Sequence, residues 1–199
     1  MNGFEKRTLA IKEKIIETTL NMLQTSEPKR IRIADIAQSA DVSQVTIYNY
    51  FGSKEALLRE AFKSYVDSAI LEFEMFMNGE HTLKEKIKHI LFVGREVFKE
   101  LPPGTVRDLV HNDPELARYV EDMYRNYKVP MTVRIIEEGK RSGEISEDVS
   151  VDSVLAYMQI HMNQYETILD AAQRSENPES FFDGITRLFF YGICGKSDE

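Results

Sequence analysis

The feature that most constrains the fold is the segment 33–54, in which a short helix, a tight turn, a second short helix and the start of a third are predicted to follow one another. Ile33, Ile36 and Ala37 recur at helical spacing and give the first helix an apolar face. Val42 is expected to fill the turn. This spacing predicts a helix-turn-helix, the arrangement that places a helix in the major groove of DNA.

The second helix of this segment has a predicted start, an inward side and an end. Ser43 is expected to cap it, because its hydroxyl can accept a hydrogen bond from a backbone N–H of the first turn. Ile47 and Phe51 are four residues apart and are expected to face inward, and Gly52 is expected to end the helix. The side opposite is then exposed and carries these residues: Gln44, Val45, Tyr48 and Asn49.

These residues together resemble the N-terminal region of the TetR family of transcriptional regulators. The matching positions are Ile36-Ala37, Val42-Ser43, Thr46-Ile47-Tyr48, Tyr50-Phe51, Ser53-Lys54 and Leu57. The resemblance covers the N-terminal quarter of the chain, and the remainder is similar in length and helical character. Asp41 stands where the family usually has glycine in the turn, and aspartate tolerates a positive φ better than most residues.

The resemblance implies an all-α protein with two parts. Residues 1–52 are expected to form a three-helix, helix-turn-helix DNA-binding domain, and residues 53–199 a helical effector-binding and dimerisation domain. The positions that contact DNA in the family correspond to Arg32, Ser43, Gln44, Val45, Thr46, Tyr48, Asn49, Tyr50 and Lys54. Gln44 and Asn49 can pair with an adenine edge, whereas Thr46, Tyr48 and Lys54 are expected to hold phosphates. Tyr50 has two interpretations, a DNA contact or a packing residue.

The charge of the chain is distributed unevenly. Residues 1–65 carry 10 Lys and Arg against 8 Asp and Glu, whereas residues 66–199 carry 15 against 25. Four cations lie before or within the predicted first helix: Lys6, Arg7, Lys12 and Lys14. They are expected either to reach backbone phosphates or to form the solvated side of a helix. The net charge of −8 argues against a nucleic-acid coat protein but allows DNA contacts confined to one small domain.

Composition favours a soluble protein of one or two domains, with 42% apolar and 29% charged residues over 199 positions. No run of apolar residues indicates a signal peptide or a membrane span, so we expect a cytoplasmic protein. The single cysteine, Cys194, excludes an intramolecular disulfide and fits a reducing compartment. It is interpreted as a packing residue, with oxidant sensing as the alternative.

Helical periodicity continues through the rest of the chain. The third helix of the motif is expected to extend to about Met77, and Pro130 is expected to kink or break a later helix. The last two helices are predicted from Val151 to about Gln173 and from Pro178 onward. Four of the eleven phenylalanines lie between residues 181 and 190, which favours a dimer interface over one large intramolecular core.

A dimer would present two recognition helices to major grooves about 34 Å apart, or a multiple of that, on a palindromic operator. The resemblance implies that a small molecule bound among the C-terminal helices releases the DNA. Candidate pocket residues are methionines, aromatic residues and histidines: His89, Phe92, Tyr119, Met123, Tyr127, Met158, His161, Met162 and Tyr165. For each of them ordinary core packing is the alternative, and for His161 the alternative is a hydrogen bond to Tyr165 or to another helix.

Two other functions are weighed against this one. An all-helical enzyme is disfavoured because the histidines at 81, 89, 111 and 161 lack metal-ligand spacing, and no phosphate-binding glycine loop or nucleophile context is present. No cofactor or metal is therefore expected. A helix-turn-helix protein controlled by a protein partner remains open, and side chains that fill the pocket completely would favour it.

Overall fold

A computed structural model describes residues 3–91 and 101–193, and the regular structure within these ranges is entirely helical. The all-α prediction is confirmed. The helices are α1 (Gly3–Thr25), α2 (Ile33–Ser39), α3 (Gln44–Phe51), α4 (Lys54–Asn78), α5 (Leu83–Leu91), α6 (Pro103–Asn112), α7 (Pro114–Met123), α8 (Val129–Arg141), α9 (Val151–Asn163), α10 (Tyr165–Gln173) and α11 (Pro178–Ile193).

The chain forms two compact units, which differ from the two predicted domains in their bounds. The N-terminal unit comprises Met1–Glu72 and Phe98–Tyr124, and the C-terminal unit comprises Phe73–Val97 and Arg125–Glu199. The predicted boundary after residue 52 stays a prediction. Within residues 3–91 and 101–193, every helix falls short of the length and apolar character that crossing a bilayer requires.

The core of the N-terminal unit joins α1, α2, α3 and α4 to α6 and α7. Ile15, Ile36 and Ile47 are completely buried, one each from α1, α2 and α3. Leu57 adds a buried side chain from the first turn of α4, and Leu116 adds one from α7. Because each of the first three helices contributes to one apolar cluster, none of them can shift without opening that cluster.

An ion-pair cluster in the N-terminal unit ties α4 to the start of α7. Arg59 Nε lies 2.7 Å from Asp113 Oδ2, and the side chains are 27% and 17% exposed. Asp113 also caps α7, accepting from the backbone N–H groups of Glu115 and Leu116 at 3.0 and 3.1 Å. Burial by itself raises the pKa of Asp113, but these hydrogen bonds and Arg59 outweigh it, so this pKa lies below its ordinary value of 3.8.

Arg59→Gln is expected to lower the Tm by about 2 to 4 °C at pH 7, because Asp113 and Glu115 both lose a charged partner at 2.7 Å. Since the pKa of each carboxyl group is lower in the folded than in the unfolded chain, this contribution is present above about pH 4 and is lost as the pH falls. Thermal unfolding between pH 7 and pH 3 should show the difference between variant and wild type shrinking at acid pH. Arg32→Gln, which breaks the exposed pair with Asp35, is the control and should change the Tm little. A constant difference at every pH would contradict the assignment to these two carboxylates.

The core of the C-terminal unit is built around α5, α8, α9 and α11. Ile87, Ile135, Met158 and Phe189 are each at most 1% exposed. Gly139 on α8 permits close packing there, since a Cβ at this position would lie 2.7 Å from Leu83 Cδ2 and 2.9 Å from Ile145 Cδ1. A methyl group here would force the ends of these two side chains to move, so glycine is favoured at this position by space rather than by backbone conformation.

Gly139→Ala is expected to lower the free energy of unfolding by about 1 kcal/mol. The methyl group overpacks the core at a cost of about 1 to 3 kcal/mol, partly offset by about 1 kcal/mol of helix propensity. Chemical denaturation measures the difference. Gly104→Ala is the control, because a Cβ at Gly104 meets nothing within 4 Å, and it should be neutral or slightly stabilising. Similar stability changes in both variants would show that space around Gly139 is not limiting.

One helix prediction needs correction. The helix expected from Val151 to about Gln173 is interrupted at Gln164, whose φ of −97° and ψ of 13° separate α9 from α10. The break expected at Pro130 is present, since a π-helical turn over Tyr124–Lys128 interrupts the regular helix and Pro130 occupies the first turn of α8 directly after it. There its missing N–H costs no hydrogen bond. The predicted start of the last helix at Pro178 is confirmed.

Candidate nucleic-acid interface

The turn between α2 and α3 has the geometry of a helix-turn-helix. Asp41 adopts a φ of 52°, the positive value expected where the family usually has glycine. The backbone N–H of Val42 donates to the carbonyl oxygen of Ala37 at 3.0 Å, which returns the chain onto the end of α2. Val42 packs against the N-terminal core. Asp41 therefore preserves the turn, at a small cost in backbone strain.

Both ends of α3 are fixed by local hydrogen bonds. Ser43 Oγ accepts from the backbone N–H of Thr46 at 3.0 Å, which confirms the predicted cap. Gly52 closes the helix with a φ of 78° and donates its N–H to the carbonyl of Tyr48 at 2.8 Å. This glycine is needed for conformation, because a positive φ strains most other residues. The helix is thus stiff over its eight residues.

One side of α3 is anchored and the other is open to solvent. Ile47 is fully buried, and Phe51 is half-buried against the same core. The four residues predicted to be exposed are exposed, with Val45 at 66% and Tyr48 at 49%: Gln44, Val45, Tyr48 and Asn49. An amide pair and a phenol on a rigid, anchored helix can donate to and accept from base edges and phosphates.

Other predicted DNA contacts are engaged within the protein. The Thr46 hydroxyl lies 2.8 Å from Ser43 Oγ, so both hydroxyls take part in the cap. Arg32 forms a bidentate ion pair with Asp35, with both donor–acceptor distances at 2.9 Å. The hydrogen bond from Arg32 lowers the pKa of Asp35. Arg32 must share or release this partner before it can hold a phosphate.

Lys54 and Tyr50 are half-buried at the rim of the motif. Lys54 lies in the first turn of α4, which Ser53 caps by accepting from the backbone N–H of Ala56 at 3.0 Å. Its Nζ donates to the carbonyl oxygen of Lys29 over a long 3.4 Å. Tyr50 packs against the core, and Lys12 Nζ lies 5.6 Å from the centroid of its ring. No sequence pattern joins Lys12 to Tyr50, so only the fold reveals this contact.

The nine predicted effector residues are divided between the two units, and the pocket predicted for them stays a prediction. Tyr119 and Met123 pack against the core of the N-terminal unit, where the Tyr119 hydroxyl donates to Asp67. In the C-terminal unit Met158 is buried in the core, whereas Tyr127 is 46% exposed. The positions of Tyr119, Met123 and Met158 are compatible with packing roles.

The two histidines among the predicted pocket residues contact neighbouring residues of the C-terminal unit. His89 stacks on Phe76 with ring centroids 4.0 Å apart. His161 Nδ1 lies 3.0 Å from the carbonyl oxygen of Tyr157, four residues earlier, and Met162 is half-buried. Three predicted positions lie outside what the structure describes: Phe92, the side chain of Tyr165 and Cys194.

A cleft of about 340 Å³ lies in the N-terminal unit, between the start of α4 and the turn joining α6 to α7. Its lining includes Lys54, Arg59 and Asp113 over an apolar floor that contains Leu109. None of the nine predicted effector residues lines it.

In the part of the chain that the structure describes, no three or more His, Cys, Asp or Glu side chains are arranged to hold a metal ion.

Residues 15–61 match the model of the family described as bacterial regulatory proteins, tetR family. The matched stretch runs from the buried part of α1 to Ala61 on α4 and therefore contains the whole helix-turn-helix. The helices and caps described above thus coincide with the region by which this family is recognised.

Full-length relatives agree with this match. The fatty acid metabolism regulator protein of Bacillus subtilis is 28% identical over 142 residues, covering 69% of this chain and 72% of the relative. The nucleoid occlusion factor SlmA of Idiomarina loihiensis is 24% identical, covering 77% and 82% of the two chains. A crystal structure of the regulator FadR from Bacillus subtilis in complex with stearoyl-CoA has a TM-score of 0.64 at 21% identity, covering 91% and 98%. The similarity to this structure extends the shared fold over nearly the whole chain.

Proposed function

This chain belongs to the TetR family of bacterial regulatory proteins, and we propose that it is a cytoplasmic repressor that binds a palindromic operator as a homodimer and releases it when a small molecule binds. It acts by recognition and carries out no catalytic step. The observation that carries the proposal is the exposed polar side of α3, held rigid by buried Ile47 and by caps at both ends.

A dimer is supported by exposed apolar side chains on α9 and α11 of the C-terminal unit. Leu188 and Tyr191 are 68% and 65% exposed and lie on the same side of α11, three residues apart. Ile160 on α9 is 60% exposed. Burying these side chains against a second copy removes apolar surface from water. The phenylalanines that first suggested an interface contribute less, since Phe189 is fully buried within its own subunit.

Release by a small molecule is supported by the family and by one relative. Because the regulator FadR from Bacillus subtilis has been crystallised with stearoyl-CoA, stearoyl-CoA is the first molecule to test on this chain. The molecule needs only to bind the DNA-incompetent conformation better, by a coupling of about 1 to 3 kcal/mol. Control by a protein partner is the second candidate, favoured by the packing of Met158 and His89 among core side chains.

The DNA-binding proposal is tested by selection from a library of random duplexes with the purified full-length chain. We expect enrichment of inverted repeats whose half-sites are centred about 10 base pairs apart, or a multiple of that. Sedimentation of the complex should give two chains per duplex, or a multiple of two. Absence of enrichment at low salt would refute the proposal.

Loss of the selected complex on addition of stearoyl-CoA would support an acyl-CoA effector, whereas an unchanged complex would exclude that molecule.

A further inference from the structure

The structure distinguishes Lys12 from the other cations near the N-terminus. Lys12 Nζ lies 5.6 Å from the centroid of the Tyr50 ring, within the range of a cation–π interaction. Lys6, Arg7 and Lys14 are exposed, and within the described residues Lys12 is the one of these four that lies over an aromatic ring. A cation on α1 is therefore held against the recognition helix α3.

The position of Tyr50 on α3 determines where this cation lies. At about 100° per residue, Tyr50 lies beside Thr46, on the border between the exposed side that carries Asn49 and the buried side that carries Ile47. Tyr50 and Lys12 are both half-buried, in agreement with this border position. The Lys12 ammonium group therefore lies at the edge of the surface that carries the candidate base contacts.

Within the described residues, the charge of Lys12 is not neutralised by an ion pair. Among the residues that the structure describes, no carboxylate forms an ion pair with it, in contrast to Arg32, whose guanidinium is occupied by Asp35. A ring contact leaves the ammonium N–H groups able to donate elsewhere. The phosphates that border the major groove are the acceptors such a group would meet when α3 enters that groove.

We propose that Lys12 is a backbone-phosphate contact supplied by α1, and that Tyr50 is the positioning residue that holds it beside α3. The inference rests on the proposed DNA-binding function. In this arrangement the ring of Tyr50 both packs against the core and lies beneath the Lys12 ammonium group. The arrangement also distinguishes Lys12 from Lys14, which is exposed on the same helix.

The test is the salt dependence of binding to the selected operator, measured by fluorescence anisotropy with full-length variants. Log K falls as log salt concentration rises, and each phosphate contact makes this slope steeper by about 0.9. The salt slope is the magnitude of this slope. Lys12→Gln is expected to lower the slope by about 0.9 per subunit and about 1.8 per dimer. Lys12→Arg should restore it, because arginine keeps the charge and stacks on aromatic rings. Lys14→Gln removes the same charge and should leave the slope near that of the wild type.

The positioning role of Tyr50 is tested by its effect on the salt slope with and without Lys12. Tyr50→Phe keeps the ring and is expected to keep the wild-type slope, whereas Tyr50→Leu should lower it. In the Lys12→Gln background Tyr50→Leu should have no further effect on the slope. If Tyr50→Leu has the same effect in both backgrounds, the positioning role is refuted. Unfolding midpoints measured for every variant identify any change that comes from lost stability.

Failure of the inference and failure of the proposed function give different results. A wild-type protein that binds no duplex at low salt would overturn the DNA-binding function itself. A wild-type protein that binds its operator with the same salt slope as Lys12→Gln would overturn only the inference about Lys12. Equal slope losses in Lys12→Gln and Lys14→Gln would show a general effect of net charge and would also overturn it.

Discussion

Ile47→Ala is expected to lower the free energy of unfolding of the N-terminal unit by about 2 to 5 kcal/mol, the range for truncating a fully buried aliphatic side chain. Ile47 is 0% exposed and packs in the cluster that contains Ile36 and Leu57. The substitution removes apolar contacts from three helices at once and leaves a cavity that short, capped helices cannot easily close. Urea denaturation monitored by circular dichroism measures the loss, and operator affinity should fall with it.

Val45→Ala is the matched control for this prediction. Val45 lies on the same helix, also has a β-branched side chain and is 66% exposed. Its truncation should change the free energy of unfolding by about 0.5 kcal/mol or less. Equal losses for the two variants would mean that α3 is not anchored through Ile47, and the exposed side of the helix could then no longer be assigned to DNA.

Asn49→Ala is expected to weaken binding to the selected operator by about 1 to 3 kcal/mol per half-site. Asn49 is exposed on α3, and an asparagine amide can donate to and accept from one adenine edge at the same time. The variant should also tolerate any base at one position of each half-site. Repeating the duplex selection with Asn49→Ala, and measuring affinities for operators changed at that position, tests both effects. Alanine favours a helix, so the fold should be retained.

Lys54→Ala should behave differently, because Lys54 is assigned to a phosphate rather than to a base. Lys54 Nζ has only a 3.4 Å contact with the carbonyl of Lys29 in the described structure, so little is lost from the free protein. The variant should weaken operator and unrelated duplexes alike and lower the salt slope by about 0.9 per subunit. If Asn49→Ala and Lys54→Ala have the same effect on sequence preference, the division between base and phosphate contacts is wrong.

Local features of the motif were predictable because they depend on residues close together in the chain. The cap by Ser43, the positive φ at Asp41 and the end of α3 at Gly52 each need only a few neighbouring residues. The burial of Ile47 and the exposure of Asn49 follow from helical periodicity in the same way. These short-range rules also gave the helical class of the whole described chain.

Which distant residues meet was harder to predict from the sequence. Tyr119 and Met158, both predicted as pocket residues, pack in the cores of different units, and the pocket itself stays a prediction. Periodicity identifies which side of a helix is apolar and gives no information about its partner. The break at Gln164 was missed for a related reason, since apolar residues continue at helical spacing on both sides of it.

The sequence by itself determined the helix-turn-helix, its caps and the polar residues it exposes, because hydrogen bonds within one turn and a 3.6-residue period decide them. Only the tertiary structure placed Lys12 over Tyr50 and joined Arg59 to Asp113. Those partners are far apart along the chain, and many other pairings would satisfy the same local rules. Packing of the complete apolar cluster selects one pairing among them, since a single arrangement must fill the core without voids.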